Sequence, residues 1–155
     1  MDERVLLSVE DTDADFYVIQ MALKQANVAI QVCRVHDGQE AVEFLERSGR
    51  FAGAPRPHMI LLNLHMPRKD GFEVLEYLRR HESFRSIPAV MFTTQSDPKD
   101  RAHALSLGAK DFLVKHHDLN TLLDELALVC SDYLRGSHAK AASGNGSGGA
   151  SSAEA

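Results

Sequence analysis

Residues 59–71, MILLNLHMPRKDG, join a short apolar run to a polar loop that leads into a helical pattern. The run MILL has no polar residue on either face, which indicates a strand covered on both sides of a sheet. After the loop, apolar residues recur at helical spacing: Phe72, Val74, Leu75 and Leu78. A fully covered strand followed by a helix is typical of a parallel α/β sheet.

The same alternation of apolar runs and helical patterns continues on both sides of this unit. Further strands are predicted at residues 5–9, 30–35, 89–93 and 112–114. The other helices are predicted at residues 14–25, with Asp13 as N-cap, and at residues 38–47, 98–107 and 119–134. Alternating strands and helices imply an α/β fold with a parallel sheet, and right-handed crossovers place helices on both of its faces.

Composition narrows the classes of protein to which the chain can belong. The 155 residues carry a net charge of −5 and are 44% apolar, which favours one globular domain. This charge argues against binding to nucleic acid or to an anionic membrane surface. No apolar run approaches the roughly 18 residues that span a bilayer, and residues 1–10 lack an apolar core long enough for a signal peptide, so we expect a cytoplasmic protein. Cys33 and Cys130 are expected to be reduced thiols.

The last part of the chain differs from the rest in composition. Residues 136–155 consist mainly of Gly, Ser and Ala and offer almost nothing to bury, so we predict a disordered tail. The folded domain is therefore predicted at residues 1–135.

Polar residues lie at the carboxyl ends of four of the predicted strands, at the edge where a parallel α/β sheet places its binding site. The first strand is followed by Glu10 and Asp11, the third by Asn63 and the fifth by Lys115, while Thr93 ends the fourth. Adjacent carboxylates attract a hard dication such as Mg²⁺. The turn EDTDAD lacks phosphate-cradling glycines, which disfavours a nucleotide or flavin. Taken alone, the acidic pair is equally consistent with a solvated helix cap.

Together these motifs resemble the receiver domains of response regulators. The matching stretches are VEDTDAD, MILLNLHMPRKDG, FTT and GAKDFLVK, in this order along the chain. The loop AGAPRP, the stretch PRKDG and the threonine pair are most similar to the small stand-alone regulators paired with bacterial phytochromes. The resemblance covers residues 5–134. It implies a flavodoxin-like parallel sheet of five strands in the order 2-1-3-4-5, flanked by five helices.

The resemblance implies a metal site and a phosphoacceptor position. Glu10 and Asp11 would bind Mg²⁺, with Asp11 as a direct ligand and the backbone carbonyl of His65 as a further one. Asn63 stands at the phosphoacceptor position, where the family has an aspartate. A carboxamide is a far poorer nucleophile than a carboxylate, so acyl-phosphate formation is disfavoured. The loss of one negative charge also predicts weak Mg²⁺ binding.

The resemblance also implies a switch and partners. Thr93 and Lys115 would contact oxygens of an incoming phosphoryl group, and Phe112 would move inward when Thr93 is recruited. The face formed by helix 4, strand 5 and helix 5 would contact a partner or a second copy of the chain. The partner would be a sensor histidine kinase, with the phytochrome type as one candidate, or another signalling protein.

Three explanations for Asn63 stay open: natural divergence, an engineered substitution, and slow deamidation that would restore an aspartate. Two further departures favour natural divergence. His58 stands where the family often has Asp, and His116 follows Lys115 where the family usually has Pro.

Basic side chains are expected around the pocket. With one carboxylate fewer, we expect Lys115 to pair with Asp11 or to bond the amide oxygen of Asn63. Three histidines are predicted at the pocket rim: His65, His116 and His117. Their spacing supports no ligand set, so solvated loop histidines are favoured over a transition-metal site or a group that responds to pH.

Three functional hypotheses follow. The favoured one is a stand-alone receiver, not an enzyme, that signals by protein–protein interaction with little or no phosphorylation. The second is a phosphorylatable receiver in a histidine-kinase phosphorelay, either through an aspartate at position 63 or through Asp70 or Asp97. The third is a metal-dependent phosphatase-like enzyme with an acidic pocket, although the nucleophilic DxD pair of such enzymes is missing.

Overall fold

The five predicted strands form one parallel sheet. A computed structural model of the chain describes residues 3–94, 97–115 and 118–135. Its strands are β1 (Arg4–Val9), β2 (Ile30–Val35), β3 (Met59–Leu62), β4 (Ala89–Thr93) and β5 (Asp111–Val114). They lie in the order β2-β1-β3-β4-β5, with every neighbouring pair parallel, which confirms the flavodoxin-like prediction.

Helices cover both faces of this sheet. They are α1 (Asp13–Ala26), α2 (Gly38–Glu46), α3 (Gly71–Arg80), α4 (Pro98–Ser106) and α5 (Leu119–Leu134), with a 3₁₀ turn at Gly49–Phe51. The predicted ends at 47 and 107 each lie one residue too far, because both residues are C-caps. Arg47 has a left-handed backbone, with φ of 57°, that cannot continue a helix.

The N-cap of α1 is Thr12, so the prediction of Asp13 in that position is wrong. Thr12 has an extended backbone and accepts a hydrogen bond from the Asp15 amide through its side-chain oxygen at 3.3 Å. Asp13 is the first helical residue, and its carboxylate lies 2.7 Å from Arg34 Nη1. Both a threonine hydroxyl and an aspartate carboxylate can cap a helix. Thr12 is the N-cap here because its backbone is extended, whereas the backbone of Asp13 is already helical.

The sheet separates two apolar cores. Residues of α2 and α3 pack with alternate strand residues on one face, among them Leu7, Ile60 and Leu62. Residues of α1 and α5 pack on the opposite face with Leu6 and Leu61. Because neighbouring residues of β3 enter different cores, all four are buried, as the uninterrupted apolar run predicts.

The loop between β3 and α3 lies against the start of α2. The Gly38 amide donates to the Lys69 carbonyl at 3.1 Å, and Arg68 Nε lies 2.8 Å from the Asp37 carboxylate. Burial acts to raise the pKa of Asp37, but hydrogen bonds from Arg68 and from backbone amides hold it below its ordinary value. The Gly71 amide closes the loop by donating to the Leu64 carbonyl at 2.8 Å.

Several sequence predictions concern residues away from the sheet edge. His58 accepts a hydrogen bond from the Val5 amide at 2.9 Å, beside the amino end of β3. Both cysteines are free, and burial raises the pKa of Cys130 to about 12, so this thiol stays protonated.

Among the described residues, no helix has the length and apolar character to cross a membrane. The predicted tail, His116 and His117 lie outside the described residues.

Candidate functional site

The polar residues at the carboxyl ends of the strands lie together, and most are shielded from solvent. The relative solvent exposure is only 1% for Glu10, 8% for Asn63 and 0% for Thr93, whereas Asp11 is exposed. The main-chain N–H of Asn63 donates to the Val9 carbonyl at 3.1 Å. This hydrogen bond places the Asn63 side chain beside Glu10 and Asp11. The result is a mostly buried polar cluster at one edge of an apolar sheet.

Asn63 acts as a hydrogen-bond donor to both carboxylates. Its Nδ2 lies 2.9 Å from Asp11 Oδ1 and 3.4 Å from Glu10 Oε2. One primary amide therefore contacts two anionic side chains with its two N–H groups. This contact holds together two carboxylates that would otherwise repel each other.

Lys115 pairs with Glu10 and Asp15, so the prediction that it would contact Asp11 or Asn63 is wrong. Its Nζ lies 2.8 Å from Asp15 Oδ2 and 3.3 Å from Glu10 Oε1, and the side chain is only 8% exposed. The ammonium also lies 4.8 Å from the centroid of the Phe92 ring. Asn63 already bridges Glu10 and Asp11, so the lysine extends to the other side of Glu10, toward the first turn of α1.

Arg34 on β2 is a second cation in this region, and it is not among the site residues predicted from the sequence. Its Nε donates to the Glu10 carbonyl at 3.0 Å, its Nη1 lies 2.7 Å from Asp13 Oδ1, and its guanidinium lies over the Phe16 ring. The available signal was a charged residue in the otherwise mostly apolar strand IQVCRV, which pairs with β1 next to the acidic turn. Among the residues that the structure describes, Lys115 and Arg34 are thus two positive side chains of the site.

The carboxyl groups differ in their electrostatic surroundings. Burial raises the pKa of Glu10, while the Lys115 ammonium and the Thr12 amide act in the opposite direction. A hydrogen bond from Arg34 lowers the pKa of the exposed Asp13. Glu10 is thus the carboxylate whose charge depends most on its neighbours, because it has the least contact with water.

Thr93 and Phe112 are both buried, but they have different relations to the pocket. The Thr93 hydroxyl has no hydrogen-bond partner within the described part of the chain. Phe112 is 4% exposed and belongs to the apolar core that contains Leu7 and Ile60, and Arg101 Nη1 donates to its carbonyl at 3.1 Å. The aromatic ring is therefore already inward while the Thr93 hydroxyl is unpartnered, and the predicted coupled movement stays a prediction.

The sequence matches the family described as the response regulator receiver domain over residues 6–127. The chain belongs to this family. The receiver is 34% identical to Response regulator Rcp1 of Synechocystis sp. over 119 residues, which are 77% of this chain and 81% of Rcp1. It therefore belongs to the proteins of two-component signal transduction.

Solved structures of cyanobacterial regulators are similar to the receiver over most of its length. The phosphorylated cyanobacterial phytochrome response regulator RcpA is 33% identical, with a TM-score of 0.80 over 86% of this chain and 95% of that chain. The Mn²⁺-bound form of Rcp1 is 33% identical, with a TM-score of 0.79 over 84% of this chain and 94% of that chain.

Receiver domains bind Mg²⁺ or Mn²⁺ at this acidic pocket, and Rcp1 has a Mn²⁺-bound form. In this chain the orientation of the Asn63 amide is unfavourable for such an ion. Asn63 directs an N–H donor at oxygens of Glu10 and Asp11 that would face a metal ion. The amide would have to turn its oxygen toward the ion before it contributed a ligand. Within the described ranges, no group of three or more His, Cys, Asp or Glu side chains is placed to hold a metal ion. The His65 side chain is exposed, and the role of its carbonyl stays a prediction.

The two alternative acceptor aspartates of the receiver are both helix caps. Asp70 accepts a hydrogen bond from the Glu73 amide at 2.9 Å and forms a capping box at the start of α3. Asp97 accepts from the Lys99 amide at 2.9 Å at the start of α4. Each carboxylate therefore already stabilises a helix end.

Proposed function

We propose that this receiver signals by protein–protein interaction, with little or no aspartyl phosphorylation. The observation that carries the proposal is the contact of Asn63 Nδ2 with Glu10 and Asp11. Acyl-phosphate formation needs an anionic carboxylate oxygen to attack phosphorus, and a neutral carboxamide is a far poorer nucleophile. The acceptor position instead holds a neutral amide whose N–H groups are engaged by the two neighbouring carboxylates.

Mg²⁺ binding to the pocket is expected to be weak. Glu10 and Asp11 would be the carboxylate ligands, with oxygens of Asn63 and His65 as neutral ones. A magnesium ion gives up water reluctantly, so it binds best where several negative oxygens surround it. Here Lys115 is near Glu10, and Arg34 also lies close to the site, so the positive charge of an added ion is less stabilised.

The similarity to regulators named for phytochrome supports a phytochrome-type sensor histidine kinase as a partner. The receiver would act in the cytoplasm as a binding protein and not as an enzyme, without contact to nucleic acid or membrane. The surface of α4, β5 and α5 is the proposed contact for a partner or a second copy. Exposed apolar side chains on these helices support this role: Leu105, Leu119 and Leu128.

Treatment with acetyl phosphate and Mg²⁺, followed by intact-mass measurement, tests the proposal. We expect no phosphoryl adduct on the wild-type chain, because Asn63 offers no anionic nucleophile. The matched control is Asn63→Asp, which should gain one adduct if Thr93 and Lys115 have their proposed roles. A wild-type adduct that maps to position 63 would refute the proposal.

The phosphorylatable receiver remains the second candidate, and the same experiment distinguishes it. Deamidation would first convert Asn63 to an aspartate, which raises the mass before any adduct forms. Use of Asp70 or Asp97 would instead produce an adduct on a peptide without residue 63. Their cap hydrogen bonds would be weakened by such a modification, which disfavours both sites.

A further inference from the structure

The Lys115 ammonium already has an anionic partner from α1. Asp15 Oδ2 lies 2.8 Å from Lys115 Nζ, closer than Glu10 Oε1 at 3.3 Å. The same Asp15 oxygen accepts a hydrogen bond from Thr12 Oγ1 at 2.8 Å. Two donors, Thr12 at the start of α1 and Lys115 after β5, therefore hold one carboxylate, and the Lys115 side chain is only 8% exposed.

On β4, next to the backbone of Lys115, one buried donor is unused. The Thr93 hydroxyl is fully buried and has no hydrogen-bond partner among the described residues. Thr93 and Lys115 are also neighbours through the backbone, because the Lys115 amide donates to the Thr93 carbonyl at 2.8 Å. A buried hydroxyl without a partner is unfavourable, so an oxygen acceptor placed here would be stabilised.

We infer that the Asp15 carboxylate is a built-in competitor that keeps tetrahedral oxyanions away from Lys115. It makes Asp15 a determinant of oxyanion affinity at this lysine, in addition to Asn63. The inference rests on the proposed function, since it concerns a pocket that works without a phosphoryl group.

The competition follows from how the two anions reach the lysine. Asp15 is held by its helix and by Thr12, so it loses little freedom when it contacts Lys115. A free oxyanion loses translational and rotational freedom, and it must also displace the carboxylate. It would then lie close to the negative charges of Glu10 and Asp15 together, which repel it.

A phosphate titration of the full chain followed by amide chemical shifts tests the inference. Inorganic phosphate is the probe, and the proteins are wild type, Asp15→Asn and the control Asp13→Asn. Asp13 lies in the same turn and carries the same charge, but it is 96% exposed and pairs with Arg34 instead of Lys115. We expect Asp15→Asn to bind phosphate at least about fivefold more tightly than wild type, as the loss of one competing charge predicts.

The two controls make the outcome decisive. Adding Lys115→Met to Asp15→Asn should abolish the gain, while Asp13→Asn should behave like wild type. Equal phosphate affinity of wild type and Asp15→Asn would overturn the inference, and so would an equal gain in Asp13→Asn. Asp15→Ser, which retains a small polar side chain, replaces Asp15→Asn if that variant does not fold.

Failure of the inference and failure of the proposed function give different results. Inorganic phosphate is not a phosphodonor, so this titration does not depend on whether Asn63 can be modified. A covalent adduct formed from acetyl phosphate on the wild-type chain would refute the proposed function. It would leave the comparison between Asp15→Asn and Asp13→Asn unaffected.

Discussion

A single amide at position 63 changes the charge pattern of the whole pocket. Asn63 donates to Glu10 and Asp11, and it thereby partly replaces the cation that two adjacent carboxylates would otherwise attract. An aspartate there would remove these donors and add a third negative charge. Residue 63 therefore affects the stability of the pocket in the absence of any ligand, as well as its nucleophilic chemistry.

Replacing Asn63 with Asp should destabilise the protein without Mg²⁺ and make it responsive to Mg²⁺. The new carboxylate repels Glu10 and Asp11, so we expect a loss of about 1–3 kcal/mol in the free energy of unfolding. Mg²⁺ should restore this stability in the variant, because an ion that binds the folded state stabilises it by mass action. Urea unfolding of both proteins with and without Mg²⁺ measures the effect. A comparable Mg²⁺ response of wild type would contradict this account of Asn63.

The sequence predicted which residues meet at the site but not how they pair. Residues that follow parallel strands share one edge of the sheet, so Glu10, Asn63 and Lys115 had to be neighbours. The choice of Asp15 as the partner of Lys115 depends on the position of the first turn of α1, which no motif specifies. Arg34 was missed for a similar reason, because its role depends on the register of β2 against β1.

At the scale of elements, the start of α2 positions the loop that carries the acceptor residue. A Cβ at Gly38 would lie 2.3 Å from the Lys69 carbonyl oxygen, so only glycine permits this approach of helix and loop. The ion pair between Asp37 and Arg68 joins the same two elements. The motif predicted a loop after β3, but its packing against α2 is a long-range contact that local patterns do not reveal.

Gly38→Ala should therefore destabilise the receiver, although alanine is the better helix former. The added methyl group would force the backbone of the loop to move, at a cost of about 1–3 kcal/mol. Gly53→Ala is the matched control, because a Cβ at Gly53 meets nothing within 4 Å. Urea unfolding compares the two variants with wild type. An unchanged stability of Gly38→Ala would show that the loop yields without strain.

At the scale of the whole molecule, the helices are held to the sheet to very different degrees. Of the nine residues of α4, only Ala104 is buried, whereas α5 buries six of its 16 residues. Arg101 adds a hydrogen bond from α4 to the carbonyl of Phe112 on β5. The surface of α4, β5 and α5 thus combines a lightly packed helix with a firmly packed one, which suits a face that adapts to a partner.

Self-association through this face is the prediction that follows at the same scale. Leu105 on α4 and Leu128 on α5 are 39% and 64% exposed, and burying such side chains between two copies would favour a dimer. Leu105→Glu and Leu128→Glu should shift the protein toward the monomer in light scattering at high concentration, because each places a charge in the contact. Tyr17→Glu is the matched control, since Tyr17 is also 64% exposed but lies on α1. A wild-type monomer at every concentration, or a dimer that only Tyr17→Glu disrupts, would rule out this face as the site of self-association.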